Sequence, residues 1–282
     1  MIVAAPSLPS PAKRGGGYEQ LINRPGRTKR SALHAGGLIA LFLVCFADQT
    51  RAEPAWSDAQ QLVLVTTAGW DENQGTLRTY NMTDAGWQIA APAFQVTIGR
   101  AGSAWGTGLH PAQSGPVKKE GDGRSPAGVF RIGTAFGYAP SAQTALPYAA
   151  MTESDYCIDV NASPLYNRIV DAKVVGKDAI TGSTEPMRRD IHVNGDQRYK
   201  LGFVIEHNAE GTATAGSCIF AHLWKAAGEP TSGCTAMDEP AMRSLLAWLR
   251  PERHPVFVLL PEAEYLRVGN DWRLPAVAAV GH

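Results

Sequence analysis

Short apolar runs rich in β-branched residues, often ending near a glycine or a proline, recur along most of this chain. Such runs are typical of β-strands, and the turns between them come too often for long helices. The predicted strands are residues 61–67, 94–98, 129–132, 203–206, 217–224 and 256–260, with strand and turn material at 77–82 and 86–89. Residues 99–128 are predicted to be loop-rich, with turns at 121–123 and 125–128. The 29 glycines and 19 prolines agree with this pattern.

The sequence signals one helix clearly. Asp238 suits an N-cap, Pro240 suits the first turn, and Pro251 stops the pattern. Apolar residues recur between them at helical spacing: Met242, Leu245, Leu246 and Leu249. Since no linker divides the chain, we predict a single domain that is mainly β with few helices.

Two short blocks place a histidine and a cysteine on either side of a polar loop. Residues 216–222 read Gly-Ser-Cys-Ile-Phe-Ala-His and end at His222, and residues 230–235 read Pro-Thr-Ser-Gly-Cys-Thr and contain Cys234. A base near a cysteine can produce the nucleophilic thiolate, and Gly233 would let backbone N–H groups face a developing oxyanion. The pattern indicates a cysteine acyltransferase. The alternative, a small buried cysteine and a core histidine, stays open on these residues alone.

The charge balance and the glycine pattern argue against other function classes. Lysine plus arginine equals aspartate plus glutamate at 26 each, and no basic stripe is present, so nucleic acid is not expected as a partner. Gly121 and Gly123 lack the rest of a dinucleotide fingerprint, so no organic cofactor is expected. Nothing in the sequence indicates an oligomeric state.

Zinc is a second chemical interpretation of the same residues. Cys218, His222 and Cys234 are competent ligands, and His207 or His192 could complete the set. Structural zinc sites usually show a second close ligand pair, which this chain lacks. We therefore expect no metal.

Residues 1–52 are predicted to be a secretory signal peptide or an N-terminal anchor. A positively charged region precedes an apolar run at 38–47, and residues 50–52 end in a small residue that signal peptidase accepts. The run is short for a permanent transmembrane helix, although an uncleaved inner-membrane tether stays open. Residues 53–282 would then be exported to the periplasm or the cell wall.

Export would leave the mature chain with three cysteines, Cys157, Cys218 and Cys234. In an oxidising compartment, one disulfide and one free thiol is the simplest partition. If Cys234 is the reactive thiol, Cys157 and Cys218 are the candidates for the disulfide. The alternative is that both are buried and reduced.

Several blocks in order resemble the catalytic domain of L,D-transpeptidases of the YkuD type, in an exported branch. The blocks are residues 118–130, with a Pro-x-Gly turn before a strand, Tyr166-Asn167, residues 204–208, and the two blocks around His222 and Cys234. They span about residues 61–261, and their joint pattern is specific although each alone is weak. The resemblance implies a mixed β-sandwich-like fold with few helices.

The resemblance also implies roles for the matching residues. Cys234 would be the nucleophile and His222 the general base. The backbone carbonyl of Leu223 would orient the imidazole, and the backbone amides of Ser232, Gly233 and Cys234 would line the oxyanion hole.

The chain departs from the family where the substrate would bind. Ser232 stands where many members have a second histidine, and Thr235-Ala236 replaces a hydrophobic residue followed by arginine. The arginine that would hold the substrate carboxylate is therefore left open among Arg243, Arg188 and Arg189.

The activity that the resemblance implies is that of a peptidoglycan L,D-transpeptidase, with stem peptides as partners. Cys234 would attack the carbonyl of the third residue of a tetrapeptide stem, release D-alanine, and pass the acyl group to an amine of a neighbouring stem. Two alternatives stay open. One is transfer to water, as in an L,D-carboxypeptidase or an amidase that releases wall proteins, and the other is a non-catalytic wall-binding module.

Overall fold

The computed structural model describes residues 53–276, and the predicted signal peptide or anchor at 1–52 lies outside them. The strands of this part of the chain are β1 Gln61–Thr67, β2 Gln74–Thr83, β3 Gly86–Thr97, β4 Ser103–Trp105, β5 Ser125–Gly137, β6 Tyr148–Ala150, β7 Asp155–Cys157, β8 Ile169–Asp171, β9 Glu185–Pro186, β10 Leu201–Ile205, β11 Phe220–Leu223, β12 Thr235–Met237 and β13 Val256–Pro261. The α-helices are α1 Ala172–Val175, α2 Arg189–His192, α3 Glu239–Trp248 and α4 Glu262–Val268, and short 3₁₀ helices lie at Lys177–Ile180, Arg198–Lys200 and Pro251–Arg253. The described domain is mainly β with few helices, as predicted. Between residues 53 and 276, none of the helices has the length and apolar character needed to cross a bilayer.

Ten strands form one mixed sheet that closes on itself. Neighbouring strands follow the order β10-β11-β12-β3-β2-β1-β13-β5, and β5 pairs in turn with β10. β4 and β6 also pair with β5, while β7, β8 and β9 form a separate sheet. Two parallel pairings join distant parts of the chain, β1 with β13 and β11 with β12. The second pairing positions the candidate site, because β11 carries His222 and β12 begins directly after Cys234.

The core lies along β1, β13 and helix α3. Every residue of β1 and of β13 is buried, so these strands are covered on both faces. The predicted helix is confirmed as α3, which buries Met242, Leu245 and Leu246. Its N-cap is Asp238, whose carboxylate accepts a hydrogen bond from the backbone N–H of Ala241 at 2.7 Å. Because α3 packs against β10 and β11, it supports the strand that carries His222.

Two sequence-based boundaries are wrong. The predicted turn at 125–128 is the start of β5, where residues 125–127 pair in parallel with β4. This distant pairing overrides the local turn preference of Pro126 and Gly128. The predicted strand at 217–224 begins only at Phe220, because Cys218 has a φ of 55°, which a strand does not accommodate.

Of the glycines in β5, Gly128 is the one at which a larger residue would meet the most severe steric conflict. Its φ is 136°, and a Cβ built there would lie 1.8 Å from Nε2 of His110. That ring cannot retreat, since it stacks on Trp272 at 5.3 Å and meets Phe130 edge-on at 5.9 Å. We expect Gly128→Ala to lower the free energy of unfolding by at least about 3 kcal/mol, as measured by denaturant unfolding.

The matched control for this variant is Gly86→Ala in the β2–β3 hairpin. Gly86 also has a positive φ, of 86°, but a Cβ there would meet nothing within 4 Å. This variant reports the backbone cost alone, about 1 kcal/mol. Equal losses from the two variants would contradict the proposed steric conflict with His110.

Candidate active site

A pocket of about 230 Å³ opens beside Cys234. Segments far apart in the sequence build its wall, and most of the lining side chains are polar. The lining residues are Arg100, Lys118, Glu120, Gly121, Asp159, Thr184, Glu185, residues 217–219 and residues 232–234. A larger groove of about 560 Å³, lined in part by Met151, Arg168 and Glu206, contains none of the predicted catalytic residues.

Cys234 is a protonated thiol in this setting. It is 8% exposed and is the free cysteine of the described residues. Its Sγ accepts a hydrogen bond from the backbone N–H of Phe220 at 3.4 Å and donates to the Cys218 carbonyl at 3.4 Å. Burial, reinforced by the negative charge of Glu185, raises the pKa of the thiol to about 12. The resting site therefore holds no thiolate at neutral pH.

His222 is a neutral imidazole held in one tautomer. It is 3% exposed, and its Nδ1 lies 2.7 Å from the Leu223 carbonyl. Because a carbonyl oxygen only accepts, Nδ1 carries the proton and Nε2 carries the lone pair. Burial lowers the pKa of His222 to about 4. The contact that the resemblance implied for Leu223 is present, and it leaves Nε2 as the atom able to take a proton.

The parallel pairing of β11 and β12 brings the thiol and the imidazole to one face of the sheet. Ala221 pairs with Thr235 and His222 with Ala236, so the register places Cys234 opposite Phe220. Side chains two residues apart on a strand share a face, and those of Phe220 and His222 therefore do so. The thiol and the imidazole are not hydrogen-bonded to each other. Catalytic hydrogen bonds in substrate-free enzymes are often long and tighten only when substrate binds.

The loop before Cys234 is fixed by hydroxyl groups. The Thr231 hydroxyl donates to the Cys234 carbonyl at 2.6 Å and accepts from the Gly233 N–H at 3.0 Å. The Ser125 hydroxyl lies 2.7 Å from the Gly233 carbonyl. Since the Gly233 N–H is already bonded, it is not free to line the oxyanion hole that the resemblance implies.

The segment on the other side of the thiol is held by asparagines of the other sequence blocks. Asn167 Oδ1 accepts from the Cys218 N–H at 2.8 Å, and Asn208 Nδ2 donates to the Gly216 carbonyl at 3.0 Å. His207 Nε2 lies 2.9 Å from the Ala215 carbonyl. These residues position the backbone that the Cys234 thiol contacts, a role that sequence reasoning did not identify.

A network of polar and charged groups lies behind Cys234 and His222. The fully buried Tyr199 packs edge-on against His222, with ring centroids 5.3 Å apart, and its hydroxyl donates to Glu185 at 2.7 Å. Arg189 donates to Glu185 at 3.2 Å and to Asp196 at 3.0 Å. Sequence reasoning missed Tyr199 and Glu185, since neither lies near a recognisable motif.

Cys157 and Cys218 form a disulfide, so the alternative that both are buried and reduced is wrong. The bond also removes Cys218 from any zinc site, because a disulfide sulfur is not a thiolate ligand. His192 and His207 are engaged with the backbone carbonyls of Glu153 and Ala215. Within residues 53–276, no group of three or more potential ligands is placed to hold a metal ion.

Removing this disulfide is expected to lower the free energy of unfolding by about 4 kcal/mol, because the bond closes a long loop in the unfolded chain. The cysteines are 61 residues apart. The test is guanidinium unfolding of the Cys157→Ala/Cys218→Ala double variant. Reductant should destabilise the wild type by a similar amount and leave the double variant unchanged. A wild type indifferent to reductant would contradict the prediction.

The three arginines considered for the substrate carboxylate are all engaged elsewhere. Arg243 pairs with Glu239, Arg188 with Asp190, and Arg189 with Glu185 and Asp196. None of the three lines the pocket. The arginine in the pocket wall is Arg100, which the sequence did not single out.

Comparisons of the chain with protein-family models, with curated proteins and with solved structures gave no match. The chemistry of the site is therefore inferred from its own residues: a free thiol, a neutral base on the same face of the sheet, and a polar pocket with one exposed guanidinium in its wall.

Proposed function

We propose that this protein is a peptidoglycan L,D-transpeptidase with Cys234 as its nucleophile. The observation that carries the proposal is the free thiol on the same face of the sheet as a neutral imidazole whose Nε2 can accept a proton. We propose also that the closed mixed sheet is the L,D-transpeptidase catalytic fold. Export to the periplasm or cell wall, as residues 1–52 predict, would bring the enzyme to its substrate.

The first half-reaction begins from two neutral groups. The Cys234 Sγ attacks the carbonyl carbon of the third stem residue while its proton passes to Nε2 of His222. The carbonyl oxygen becomes an oxyanion that the amides of Ser232 and Cys234 would stabilise. The carbon–nitrogen bond to D-alanine then breaks, and the imidazolium returns the proton to the leaving amine. A thioester on Cys234 remains.

The second half-reaction reverses these roles. The amine of a neighbouring stem attacks the thioester carbonyl and gives a proton to Nε2 of His222. Collapse of the tetrahedral intermediate breaks the carbon–sulfur bond, and the departing sulfur takes that proton back. The product is a cross-link between two third residues. With water in place of the amine, the same steps would make an L,D-carboxypeptidase or a protein-releasing amidase.

A non-catalytic wall-binding module is the remaining alternative. The alkylation rate of Cys234 cannot separate this alternative from an enzyme. A buried thiol with a pKa raised to about 12 reacts slowly before substrate binds, whether or not it is catalytic. Formation of an acyl-enzyme separates the two, since a binding module forms no thioester.

The test is intact-protein mass spectrometry of the wild type with purified disaccharide-tetrapeptide, beside Cys234→Ala. We expect a mass increase on the wild type alone, release of D-alanine, and formation of a dimer. Formation of tripeptide monomer without dimer would show that the acyl group passes to water, and the protein would then be an L,D-carboxypeptidase. A Cys234→Ala protein that still made dimers would rule out the proposed nucleophile.

A further inference from the structure

Arg100 is attached to the loop that carries the proposed nucleophile. Its backbone N–H donates to the Thr231 carbonyl at 2.8 Å, and its Nη1 donates to the Ser232 hydroxyl at 3.0 Å. Close packing limits its side chain further, since a Cβ added to Gly123 would lie 3.1 Å from the guanidinium carbon. The guanidinium is therefore held in the pocket wall next to Ser232, which precedes Cys234 by two residues.

The charge of Arg100 is available to a ligand. Its side chain is exposed, and among residues 53–276 no carboxylate lies within ion-pair distance of it. The other cation of the pocket, Lys118, is buried and bonded to Asp122 at 2.6 Å. A guanidinium has five N–H donors and can hold a carboxylate through two of them. One donor is used on Ser232.

The rest of the pocket disfavours an anion. Glu120, Asp159 and Glu185 add carboxylates to the wall, so a substrate carboxylate would be repelled from the rest of the pocket and favoured only at Arg100. Only Gly233 lies between Ser232 and Cys234, so the two backbone steps from Ser232 to Cys234 span at most about 7 Å. Such a short span, within one pocket, fits a carboxylate on Arg100 that belongs to the residue next to a scissile carbonyl on Cys234.

We propose that Arg100 binds the terminal carboxylate of the leaving residue, and that the site therefore selects peptides with a free C-terminus one residue beyond the scissile bond. This proposal rests on the proposed function. It assigns the carboxylate-holding role to a residue from the turn after β3, in place of the family's arginine that follows the cysteine. Here those positions are Thr235 and Ala236, both buried in β12 and unable to reach the pocket.

The test compares a tetrapeptide donor that ends in a free acid with the same peptide ending in an amide. For the wild type we expect kcat/KM for acylation to be about 10- to 100-fold higher with the acid. Arg100→Gln should remove this preference by lowering the value for the acid alone. Arg100→Lys should fall between the two, because an ammonium keeps the charge but loses the bidentate geometry.

A binding measurement and a matched control accompany the kinetics. In the Cys234→Ala background, the acid should bind more tightly than the amide by a similar factor, and Arg100→Gln should equalise the two affinities. Arg243→Gln is the control, because Arg243 is an exposed arginine outside the pocket that pairs with Glu239. It should keep the full preference for the acid.

Failure of this proposal differs from failure of the proposed function. If the wild type acylates with acid and amide equally, or if Arg100→Gln keeps the preference, the role of Arg100 is overturned while the nucleophile stands. If the wild type forms an acyl-enzyme with neither donor and binds neither, the proposed function fails and this assignment fails with it.

Discussion

The Cys234→Ser protein is expected to release D-alanine from the tetrapeptide at least about 1,000-fold more slowly than the wild type. A serine hydroxyl is a much weaker acid than a thiol, and the base proposed to accept its proton is an imidazole with a pKa of about 4. Such a base takes the thiol proton only as the carbon–sulfur bond forms, and it assists a hydroxyl far less. The measurement is D-alanine release together with intact mass, which should show no stable acyl adduct on the variant.

The contribution of His222 to the acylation rate should depend on the Cys234 thiol. His222→Gln is expected to slow acylation strongly, and the Cys234→Ser/His222→Gln double variant should be no slower than the worse single variant, because groups that act as a unit are not additive. Unfolding measurements on each protein separate chemistry from folding. Additive losses in the double variant would mean that the imidazole does not act through Cys234.

The parts of the fold that the sequence predicts correctly are those specified by neighbouring residues. The helix α3 follows from Asp238 and the apolar spacing behind it, and β13 follows from an uninterrupted apolar run. The bond from His222 to the next carbonyl is equally local. By contrast, β12 has three residues and exists because β11 pairs with it, so no local periodicity could show it.

The pocket wall depends on contacts between distant residues. Arg100 reaches Ser232 because Gly99 and Thr231 form an isolated parallel bridge, and these two positions are 132 residues apart. Glu185 likewise enters the pocket from the small sheet of β7 and β9. The sequence left the carboxylate-binding arginine open among Arg243, Arg188 and Arg189, and all three pair with carboxylates outside the pocket or behind it.

The free energy of unfolding is expected to fall by at least about 5 kcal/mol as the pH is lowered from 7 to 4, because burial lowers the pKa values of three histidines, His110, His207 and His222. The pKa values of His207 and His222 are lowered by burial to about 4, from the ordinary 6.5 of an exposed imidazole. Between these values the unfolded chain binds more protons than the folded one, so stability increases with pH across this window. It is fully present above about pH 6.5 and is lost as the pH falls towards 4, by about 2–3 kcal/mol for each of His207 and His222.

Urea unfolding at several pH values between 7 and 4 measures this slope directly. His207→Gln should reduce the loss of stability over this pH range by about 2–3 kcal/mol, whatever it does to stability at pH 7, because one of the buried histidines is gone. Constant stability between pH 7 and 5 would mean that these imidazoles are not held neutral by burial.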